Sequence, residues 1–453
     1  MKDNEKSKKK NLRIAIIITF FTLLTAGAVA ALLLSGILGE RDLREKDTTE
    51  DMPDTGTSAV TEDKGRDETV RVDQKIIDNM AEPTAVKGIT VTGEMLEKGI
   101  LNEGSKVRLM NVMERAARGE EITIAYIGGS ITAGSLASPM ASACFAALST
   151  DWWKETFPEA KIRYVNAGIG ATDSWVGVHR AADDVIAENP DLVVAEFAVN
   201  DGNGWNQETY DSLIRTLLEA PSGPAVISLM IAHKYGSFAD KHAPAAFRYQ
   251  VPIISYSALL TQNLVSWDKV GNSDGTHPDN PGHRLIAHLL TAYYRKVLSE
   301  INTAGQEEYR VPDISESLTR CRYMNGDILY SDELKADSAD GFEAAKVTKI
   351  LFNDNGWKTA SAGTISFTIE ARELGVIWLQ KNSDPQGTYA NYDMYIDGEY
   401  KATLTGVASS WGAHLEYRSE ILGDTAAKHT IELRPAEGNT GTEFEVLGIG
   451  VSK

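Results

Sequence analysis

Four short segments of the sequence hold polar residue types that together can perform nucleophilic chemistry. They are residues 128–130 (Gly-Gly-Ser), 166–172, 199–201 (Val-Asn-Asp) and 274–277 (Asp-Gly-Thr-His). A serine hydroxyl is a weak nucleophile until a base removes its proton, and a neutral imidazole oriented by a carboxylate is a common base for this purpose. Ser130, His277 and Asp274 supply these three types of group.

The spacing of Asp274 and His277 suits a base and the acceptor that orients it, because it keeps the carboxylate near the imidazole ring. The oxyanion that develops when a serine attacks a carbonyl group needs convergent hydrogen-bond donors. The candidates are the backbone N–H of Ser130, a backbone N–H from the glycine-rich turn near Gly170, and the side-chain amide of Asn200.

Further polar residues follow the candidate oxyanion segments and are predicted to rim the same site as substrate-binding residues. Asp173 and Ser174 follow residue 172, and Asn203 and Trp205 follow the Asn-Asp pair. An exposed loop tryptophan either stacks on a sugar ring or packs on its own domain, and both readings of Trp205 stay open.

The pattern of apolar runs predicts the elements that position these residues. Between residues 86 and 305, near-continuously apolar runs alternate with helical patterns, which indicates a parallel sheet with helices on both faces. The predicted strands cover residues 122–127, 162–166, 192–199, 225–231 and 252–256. The predicted helices cover residues 141–157, 175–189, 208–220 and 281–301. Because ligands of such sheets bind at the carboxyl ends of the strands, the four polar segments are expected to meet there.

Residues 306–453 show a different pattern. Short runs of alternating polar and apolar residues are separated by Asp-Gly, Asn-Asp and glycine-rich turns. This pattern predicts a β-sandwich accessory domain of jelly-roll type. Its role stays open, since it either binds sugar through Trp378 or Trp411, or packs against the preceding domain.

The first 85 residues predict an anchor and a spacer. Residues 1–13 are rich in lysine, and residues 14–38 carry no charged side chain over a length that spans a bilayer. The positive-inside rule then places residues 1–13 in the cytoplasm and everything after residue 38 outside the cell. A signal peptide cleaved after Ala30 is the alternative. Residues 39–85 are dense in charge and poor in large apolar residues, and are predicted to form a disordered linker.

The composition argues against several classes of function. The chain of 453 residues has a net charge of -19, which does not suit binding to nucleic-acid phosphates. Its two cysteines, Cys144 and Cys321, lie in no Cys/His cluster, so a structural zinc site is not expected. They form either two buried thiols or one disulfide. The sequence shows no metal-ligand spacing and no dinucleotide fingerprint, and it predicts no metal and no cofactor.

The four segments, in this order, resemble the blocks of the SGNH hydrolases, the GDSL esterase family, over residues 101–301. Family members carry Ser, Gly, Asn and His in these blocks, and the Ser block here reads Gly-Gly-Ser-Ile-Thr. The resemblance implies a flavodoxin-like three-layer α/β/α fold. It also implies that Ser130 is the nucleophile, His277 the general base, Asp274 its orienting group and Asn200 an oxyanion donor.

Two positions depart from the family pattern. Gly129 replaces the aspartate of the GDSL motif, as in a subset of carbohydrate esterases. An ungapped match places the oxyanion glycine of the family at Ala171, next to Gly170, so the N–H of either residue is a candidate donor. A backbone donor tolerates alanine where φ is negative.

Taken together, the sequence predicts an extracellular, membrane-anchored serine esterase that removes O-acetyl or other short acyl groups from a polysaccharide. Two alternatives stay open. One is a carbohydrate-binding surface protein with an inactive esterase-like domain. The other is a lipase or thioesterase that uses the same triad.

Overall fold

A computed structural model describes residues 71–305, 311–381, 383–384, 386–407 and 412–453. The predicted cytoplasmic tail (1–13), the predicted membrane segment (14–38) and Trp411 lie outside these residues. None of the helices within the described ranges is long and apolar enough to cross a membrane. The described residues form one compact unit, which contains both an α/β domain and a β-rich domain.

A six-stranded sheet forms the centre of the α/β domain in the described part of the chain. Its strands are β1 Ile100–Asn102, β2 Glu121–Gly128, β3 Lys161–Gly168, β4 Leu192–Glu196, β5 Ala225–Met230 and β6 Ile253–Ser255. Their order across the sheet is β1-β6-β5-β4-β2-β3. Strands β2 to β6 are parallel, and β1 is antiparallel to β6. The five parallel strands have the order of a flavodoxin-like sheet, which confirms the predicted α/β fold.

Helices cover both faces of this sheet. They are α1 Gln74–Asp78, α2 Gly93–Gly99, α3 Val107–Ala117, α4 Ser130–Ala133, α5 Met140–Ala143, α6 Phe145–Thr156, α7 Ser174–Asp184, α8 Asn206–Leu218, α9 Ala239–Arg248, α10 Tyr256–Thr261 and α11 Asn280–Glu300. Along β2, Ile124 and Tyr126 belong to the core with α3, α6 and α11, while Ala125 and Ile127 belong to the core with α7 and α8. Successive strand residues point to opposite faces, so an all-apolar strand is buried from both sides.

The predicted linker over residues 39–85 extends too far. Residues 71–85 belong to the folded unit, where Val72 and Ile77 are buried in the core. The backbone N–H groups of Arg71 and Val72 donate to Oδ1 of Asn302 at 2.9 and 3.0 Å. The prediction was wrong for this part because its hydrogen-bond partners, such as Asn302, lie more than two hundred positions away in the sequence, which local composition does not reveal.

Nine antiparallel strands form the β-rich domain within the described residues, which confirms the predicted change to a β-rich architecture. They are β7 Gly326–Leu329, β8 Ser338–Lys346, β9 Asn355–Ala371, β10 Glu373–Gln380, β11 Asn391–Ile396, β12 Glu399–Thr405, β13 His414–Ile421, β14 Ala427–Pro435 and β15 Phe444–Ser452. Their main path is β12-β11-β14-β9-β15-β10-β13, with β7 beside β15 and β8 beside β9.

A bend in strand β9 brings two parts of this sheet into contact. The strand is 17 residues long, and it bends at Ala362, whose φ is 52°. As a result, the rings of Trp357 and Phe367, on opposite sides of the bend, lie 4.8 Å apart. The rings of Phe342 and Tyr392 meet at 5.5 Å, although their strands are not neighbours in the sheet. A strand that turns a corner between two packed layers is a feature of sandwich-type folds.

The two domains pack through buried polar and aromatic contacts on α7. The ring of Trp175 stacks on that of Tyr417 in β13, with the centroids 4.1 Å apart. The Trp175 indole donates to Glu373 in β10 at 2.9 Å, and His179 bonds the other oxygen of that carboxylate at 2.8 Å. The β-rich domain is therefore fixed on the face of the α/β domain that carries α7.

Candidate active site

The turn that carries Ser130 connects β2 to α4 at the carboxyl edge of the sheet. A Cβ on Gly128 would lie 2.2 Å from Oγ1 of Thr132, and a Cβ on Gly168 would lie 2.2 Å from the backbone nitrogen of Ala133. Real Cβ atoms do not approach so closely, so glycine at both positions lets α4 sit directly against the strand ends. Ser130 is thereby held, half-buried, at the carboxyl edge of the sheet.

Ser130, His277 and Asp274 form a continuous hydrogen-bonded chain. Nε2 of His277 is 2.8 Å from Oγ of Ser130, and Nδ1 is 2.6 Å from Oδ2 of Asp274. The other carboxylate oxygen accepts the backbone N–H groups of Thr276 and His277 at 3.0 and 3.1 Å. With Nδ1 donating to the carboxylate, Nε2 is the acceptor for the serine proton.

The charge of Asp274 is favoured by its surroundings. Partial burial alone would raise the pKa of the carboxyl, but the hydrogen bonds from His277 and the two backbone N–H groups outweigh burial and hold the pKa below its usual range. Asp274 is therefore ionised at neutral pH and can both orient the imidazole and stabilise its protonated form.

Backbone hydrogen bonds brace the loop that carries Asp274 and His277. The N–H of Asn272 donates to the carbonyl of His277 at 2.9 Å, and its side-chain amide donates to the carbonyl of Pro278 at 2.9 Å. The N–H of Lys234 donates to the carbonyl of Gly275 at 2.9 Å. The loop is therefore held from within and from a neighbouring segment, which fixes the imidazole relative to Ser130.

The candidate oxyanion donors line the same cleft as Ser130: Gly170, Ala171 and Asn200. The Cβ position of Gly170 is 3.9 Å from Cβ of Ser130, and that of Gly129 is 3.2 Å from Oδ1 of Asn200. Ala171 has a φ of 59°, the left-handed region, and not the negative value expected for a tolerated alanine. A Cβ-bearing residue thus occupies a conformation that favours glycine.

Both domains contribute to the cleft around Ser130, which has a volume of about 820 Å³. The β-rich domain supplies Lys349, Ile350, Phe352, Ala413 and His414. These five residues were not predicted, because nothing in the sequence around them connects them to a serine so far away in the chain. Only the packing of the two domains against each other brings them close to Ser130.

Glu196 is a further residue that was not predicted to belong to the site. It ends β4, is fully buried, and its Oε2 accepts the hydroxyl of Thr132 at 2.9 Å. Burial raises the pKa of this carboxyl to about 7, against hydrogen bonds from the Thr132 hydroxyl and the Gly129 backbone. Glu196 therefore ties the Ser130 turn to the sheet. Its signal in the sequence was a single carboxylate within an apolar run.

The four residues predicted to rim the site do not line the cleft of Ser130. Asp173 and Ser174 are buried, and Asp173 caps α7 and accepts the hydroxyl of Tyr417 at 2.6 Å. Asn203 and Trp205 line a separate depression beside Tyr417. The prediction that they rim this cleft was wrong for Asp173 and Ser174 because the chain turns inward at residue 173 to begin a helix. Asn203 and Trp205 are exposed but line the other depression, so a contact between either of them and a substrate stays a prediction.

The remaining candidates have structural roles. Trp378 is buried, and its indole N–H donates to the carbonyl of Thr405 at 2.9 Å, so this ring is not available to a sugar. Cys144 and Cys321 are both buried free thiols. Among the residues that the structure describes, no group of three or more His, Cys, Asp or Glu side chains could hold a metal ion.

Comparison with solved structures and family models places this geometry among known hydrolases. A two-domain esterase (CEX) active on acetylated mannans, co-crystallised with mannopentaose, is 28% identical, covers 79% of this chain and 98% of its own, and gives a TM-score of 0.70. A second crystal structure of a two-domain esterase (CEX) active on acetylated mannans has the same identity and TM-score and covers 99% of its own chain. An acetylxylan esterase from Geobacillus stearothermophilus is 20% identical over 38% of this chain and 94% of its own, with a TM-score of 0.33.

The chain has no match among curated proteins. The model of the GDSL-like Lipase/Acylhydrolase family matches residues 126–285. This range contains all four polar segments and the complete chain of Ser130, His277 and Asp274. Residues 126–285 therefore form a domain that matches the GDSL-like lipase/acylhydrolase family.

Proposed function

We propose that the protein is a serine esterase that removes O-acetyl or other short acyl groups from a polysaccharide. The observation that carries the proposal is the hydrogen-bonded chain from Asp274 through His277 to Ser130, with distances of 2.6 and 2.8 Å, along one cleft. The similar two-domain esterase is active on acetylated mannans and was crystallised with mannopentaose, which supports an acetylated glycan as the substrate class.

In the acylation half-reaction, Oγ of Ser130 attacks the ester carbonyl while Nε2 of His277 accepts the hydroxyl proton. Asp274 stabilises the imidazolium that forms. The negative charge on the former carbonyl oxygen is met by the N–H of Ser130, a backbone N–H at Gly170 or Ala171, and the amide of Asn200. Collapse of this intermediate leaves an acyl-enzyme, and the imidazolium returns its proton to the sugar oxygen that departs.

In the deacylation half-reaction, a water molecule takes the place of the sugar hydroxyl. His277 removes a proton from the water as it attacks the acyl carbon, and the same donors bind the second oxyanion. Breaking the bond to Oγ releases acetic acid, which ionises to acetate in solution, and the proton on His277 returns to Ser130. The cycle consumes one water molecule and needs no other reactant.

The shape of the cleft favours a glycan ester over a small free ester. Side chains from two domains face the same space, and those of the β-rich domain lie around the site and not within the catalytic chain. A long acylated glycan can contact both walls while its ester group reaches Ser130. Small acyl esters use only the floor of the cleft, so they are expected to react without these contacts.

We also propose that residues 14–38 anchor the enzyme in the cell membrane with the catalytic domain outside. The uncharged run and the lysine-rich residues 1–13 support this topology. Membrane fractionation of the full chain and of a chain lacking residues 1–38 tests it, together with protease treatment of intact cells. Recovery of the full chain in the soluble fraction would exclude an anchor.

Replacement of Ser130 tests the enzymatic proposal directly. We expect Ser130→Ala to abolish hydrolysis of 4-nitrophenyl acetate and of acetylated mannan, and to abolish covalent labelling by a fluorophosphonate. Ser299→Ala, which changes an exposed serine of α11, serves as the matched control. Full turnover by Ser130→Ala, or no labelling of the wild-type enzyme, would contradict the proposal. A preference of the wild-type enzyme for long-chain acyl esters would favour a lipase.

A further inference from the structure

A hydrogen-bond network connects the β-rich domain to the edge of the candidate oxyanion site. The hydroxyl of Tyr417, in β13, donates to Oδ2 of Asp173 at 2.6 Å. Trp205 donates its indole N–H to the same hydroxyl oxygen at 2.9 Å, which orients the hydroxyl proton toward Asp173. The amide of Asn206 donates to Oδ2 of Asp173 at 2.9 Å. Tyr417 is thus the point at which the second domain reaches this network.

Asp173 in turn fixes one end of the turn that contains Gly170 and Ala171. Its Oδ1 accepts the backbone N–H groups at the start of α7, at 3.1 and 3.3 Å. At the other end, the N–H of Ile169 donates to the carbonyl of Gly128 at 3.0 Å. Only three residues lie between these fixed points, one of them Ala171 in the left-handed conformation. The positions of their N–H groups therefore depend on where Asp173 is held.

The segment that carries Asn200, the other candidate oxyanion donor, is hydrogen-bonded to the start of the same helix α7. The N–H of Ser174 donates to Oδ1 of Asp201 at 2.8 Å, and Asp201 directly follows Asn200. The other oxygen of Asp201 bonds Nε2 of His242 at 2.7 Å, and both side chains are completely buried. One network thus includes the residues that neighbour Ala171 and those that neighbour Asn200.

Electrostatics make the Tyr417 hydroxyl important for the charge of Asp173. Burial, and then the nearby charge of Asp201, raise the pKa of Asp173 to about 6, and the hydrogen bond from Tyr417 is the first of the contacts that oppose this rise. The titratable groups around Asp173 are Tyr417 from the β-rich domain, Asp201 with His242 behind it, and Tyr323. Loss of the Tyr417 donor would leave two buried carboxylates with one donor fewer.

We propose that Tyr417 is a positioning residue for the ester hydrolysis: it holds Asp173 from the β-rich domain and, through Asp173, sets the turn whose N–H groups meet the oxyanion. The inference rests on the proposed function. It gives the second domain a task in the chemical step itself, separate from any contact that this domain makes with a glycan. The indole of Trp205 supports the same contact from the α/β side.

Tyr417→Phe tests the inference, because it removes the hydroxyl and keeps the ring that stacks on Trp175. With 4-nitrophenyl acetate we expect kcat to fall roughly 10-fold, less than the loss of a whole oxyanion donor, while KM stays within about twofold. The inhibition constant of a boronic acid, which forms a tetrahedral adduct with serine, should rise by a similar factor. Tyr400→Phe, which removes an exposed hydroxyl on β12, is the matched control and should keep wild-type kinetics.

A double-mutant cycle with Asp173→Asn tests the route of the effect. Asparagine still caps a helix, so α7 keeps its N-terminal partner. If Tyr417 acts through Asp173, the double variant is no slower than Asp173→Asn alone. Should Tyr417→Phe fail to fold, Trp205→Phe replaces it in the cycle, since it removes the N–H that orients the Tyr417 hydroxyl, and a fall in kcat of about threefold is expected.

The outcomes separate the inference from the function on which it rests. Unchanged kcat in Tyr417→Phe, or effects of the two substitutions that add fully, would overturn the positioning role while an active, fluorophosphonate-labelled wild-type enzyme keeps the esterase proposal. An inactive and unlabelled wild-type enzyme would overturn both. A loss in kcat that is confined to acetylated glycans, with 4-nitrophenyl acetate unaffected, would also overturn the inference, because it would place Tyr417 in substrate binding.

Discussion

The hydroxyl of Thr132 donates a hydrogen bond of 2.9 Å to Oε2 of Glu196, and both side chains are fully buried next to the turn of Ser130. The contact joins α4 to the carboxyl end of β4. Because burial raises the pKa of Glu196 to about 7, the group that ties the nucleophile turn to the sheet changes its charge near neutral pH. Because folding changes the pKa of this carboxyl, the free energy of unfolding depends on pH.

We expect Glu196→Gln to reduce the pH dependence of the free energy of unfolding. The pKa of Glu196 is raised from 4.5 in the unfolded chain to about 7 in the folded protein. The folded state therefore binds the proton more tightly, and stability falls as pH rises between these values, by about 3 kcal/mol for the full shift. Glutamine does not titrate, so the variant should gain stability relative to wild type as pH increases.

Urea unfolding at about pH 5 and about pH 8 measures this difference. Glu159→Gln, at an exposed position, controls for the removal of one acidic group and should follow the wild-type pH dependence. An offset between wild type and Glu196→Gln that is the same at both pH values would show that the carboxyl does not titrate in this range.

Asp274→Asn should lower kcat by at least about 100-fold with little change in KM, since the imidazole loses the charge that orients it and stabilises its protonated form. In the wild-type enzyme the pKa of Asp274 lies below its usual range, so this carboxylate stays ionised as the pH falls.

Steady-state kinetics on 4-nitrophenyl acetate at neutral pH measures the effect of Asp274→Asn on kcat and KM. Asp268→Asn removes an exposed aspartate a few residues earlier and should keep wild-type activity. Retention of wild-type kcat by Asp274→Asn would remove Asp274 from the catalytic chain.

Ala171→Gly should keep activity and raise stability by up to about 1 kcal/mol. The left-handed φ of 59° strains a residue with a Cβ by roughly 1–2 kcal/mol, and the greater freedom of glycine in the unfolded chain offsets part of this gain. Ala187→Gly, in a short 3-10 turn, is the control and should lose stability. Thermal unfolding of the two variants side by side provides the measurement, and destabilisation of both would argue against strain at Ala171.

The residues that could be predicted from the sequence are those whose neighbours in the chain define them. The apolar runs located all five parallel strands, and the spacing of Asp274 and His277 anticipated their hydrogen bond of 2.6 Å. The edge strand β1 and helix α9 were not predicted. β1 has three residues, and α9 contains Pro244, which a sequence pattern reads as a break.

The residues that could not be predicted are those whose burial depends on segments far away in the sequence. Asp173 and Ser174 look like polar loop residues, yet the β-rich domain covers them, and Tyr417 becomes a partner of Asp173 from 244 positions away. Val72 resembles part of a solvated linker because Asn302, which accepts its backbone N–H, lies 230 positions away in the sequence. The sequence shows which residues can form hydrogen bonds. Whether such a residue is buried, and under which surface, depends on how the domains pack together.

Phe352→Ala should impair the hydrolysis of acetylated glycans and leave small esters unaffected. This ring lines the cleft of Ser130 from the β-rich domain and is 49% exposed, so it has apolar surface that a sugar ring can cover. Loss of such a contact should raise KM for acetylated mannan by roughly 5-fold, with kcat on 4-nitrophenyl acetate unchanged, because aromatic contacts contribute about 1 kcal/mol. Tyr400→Ala removes an aromatic ring of the same domain that is 56% exposed on β12 and lies outside the cleft. If both variants weaken glycan hydrolysis equally, the effect belongs to the domain as a whole. If neither does, the glycan binds without the wall that Phe352 forms.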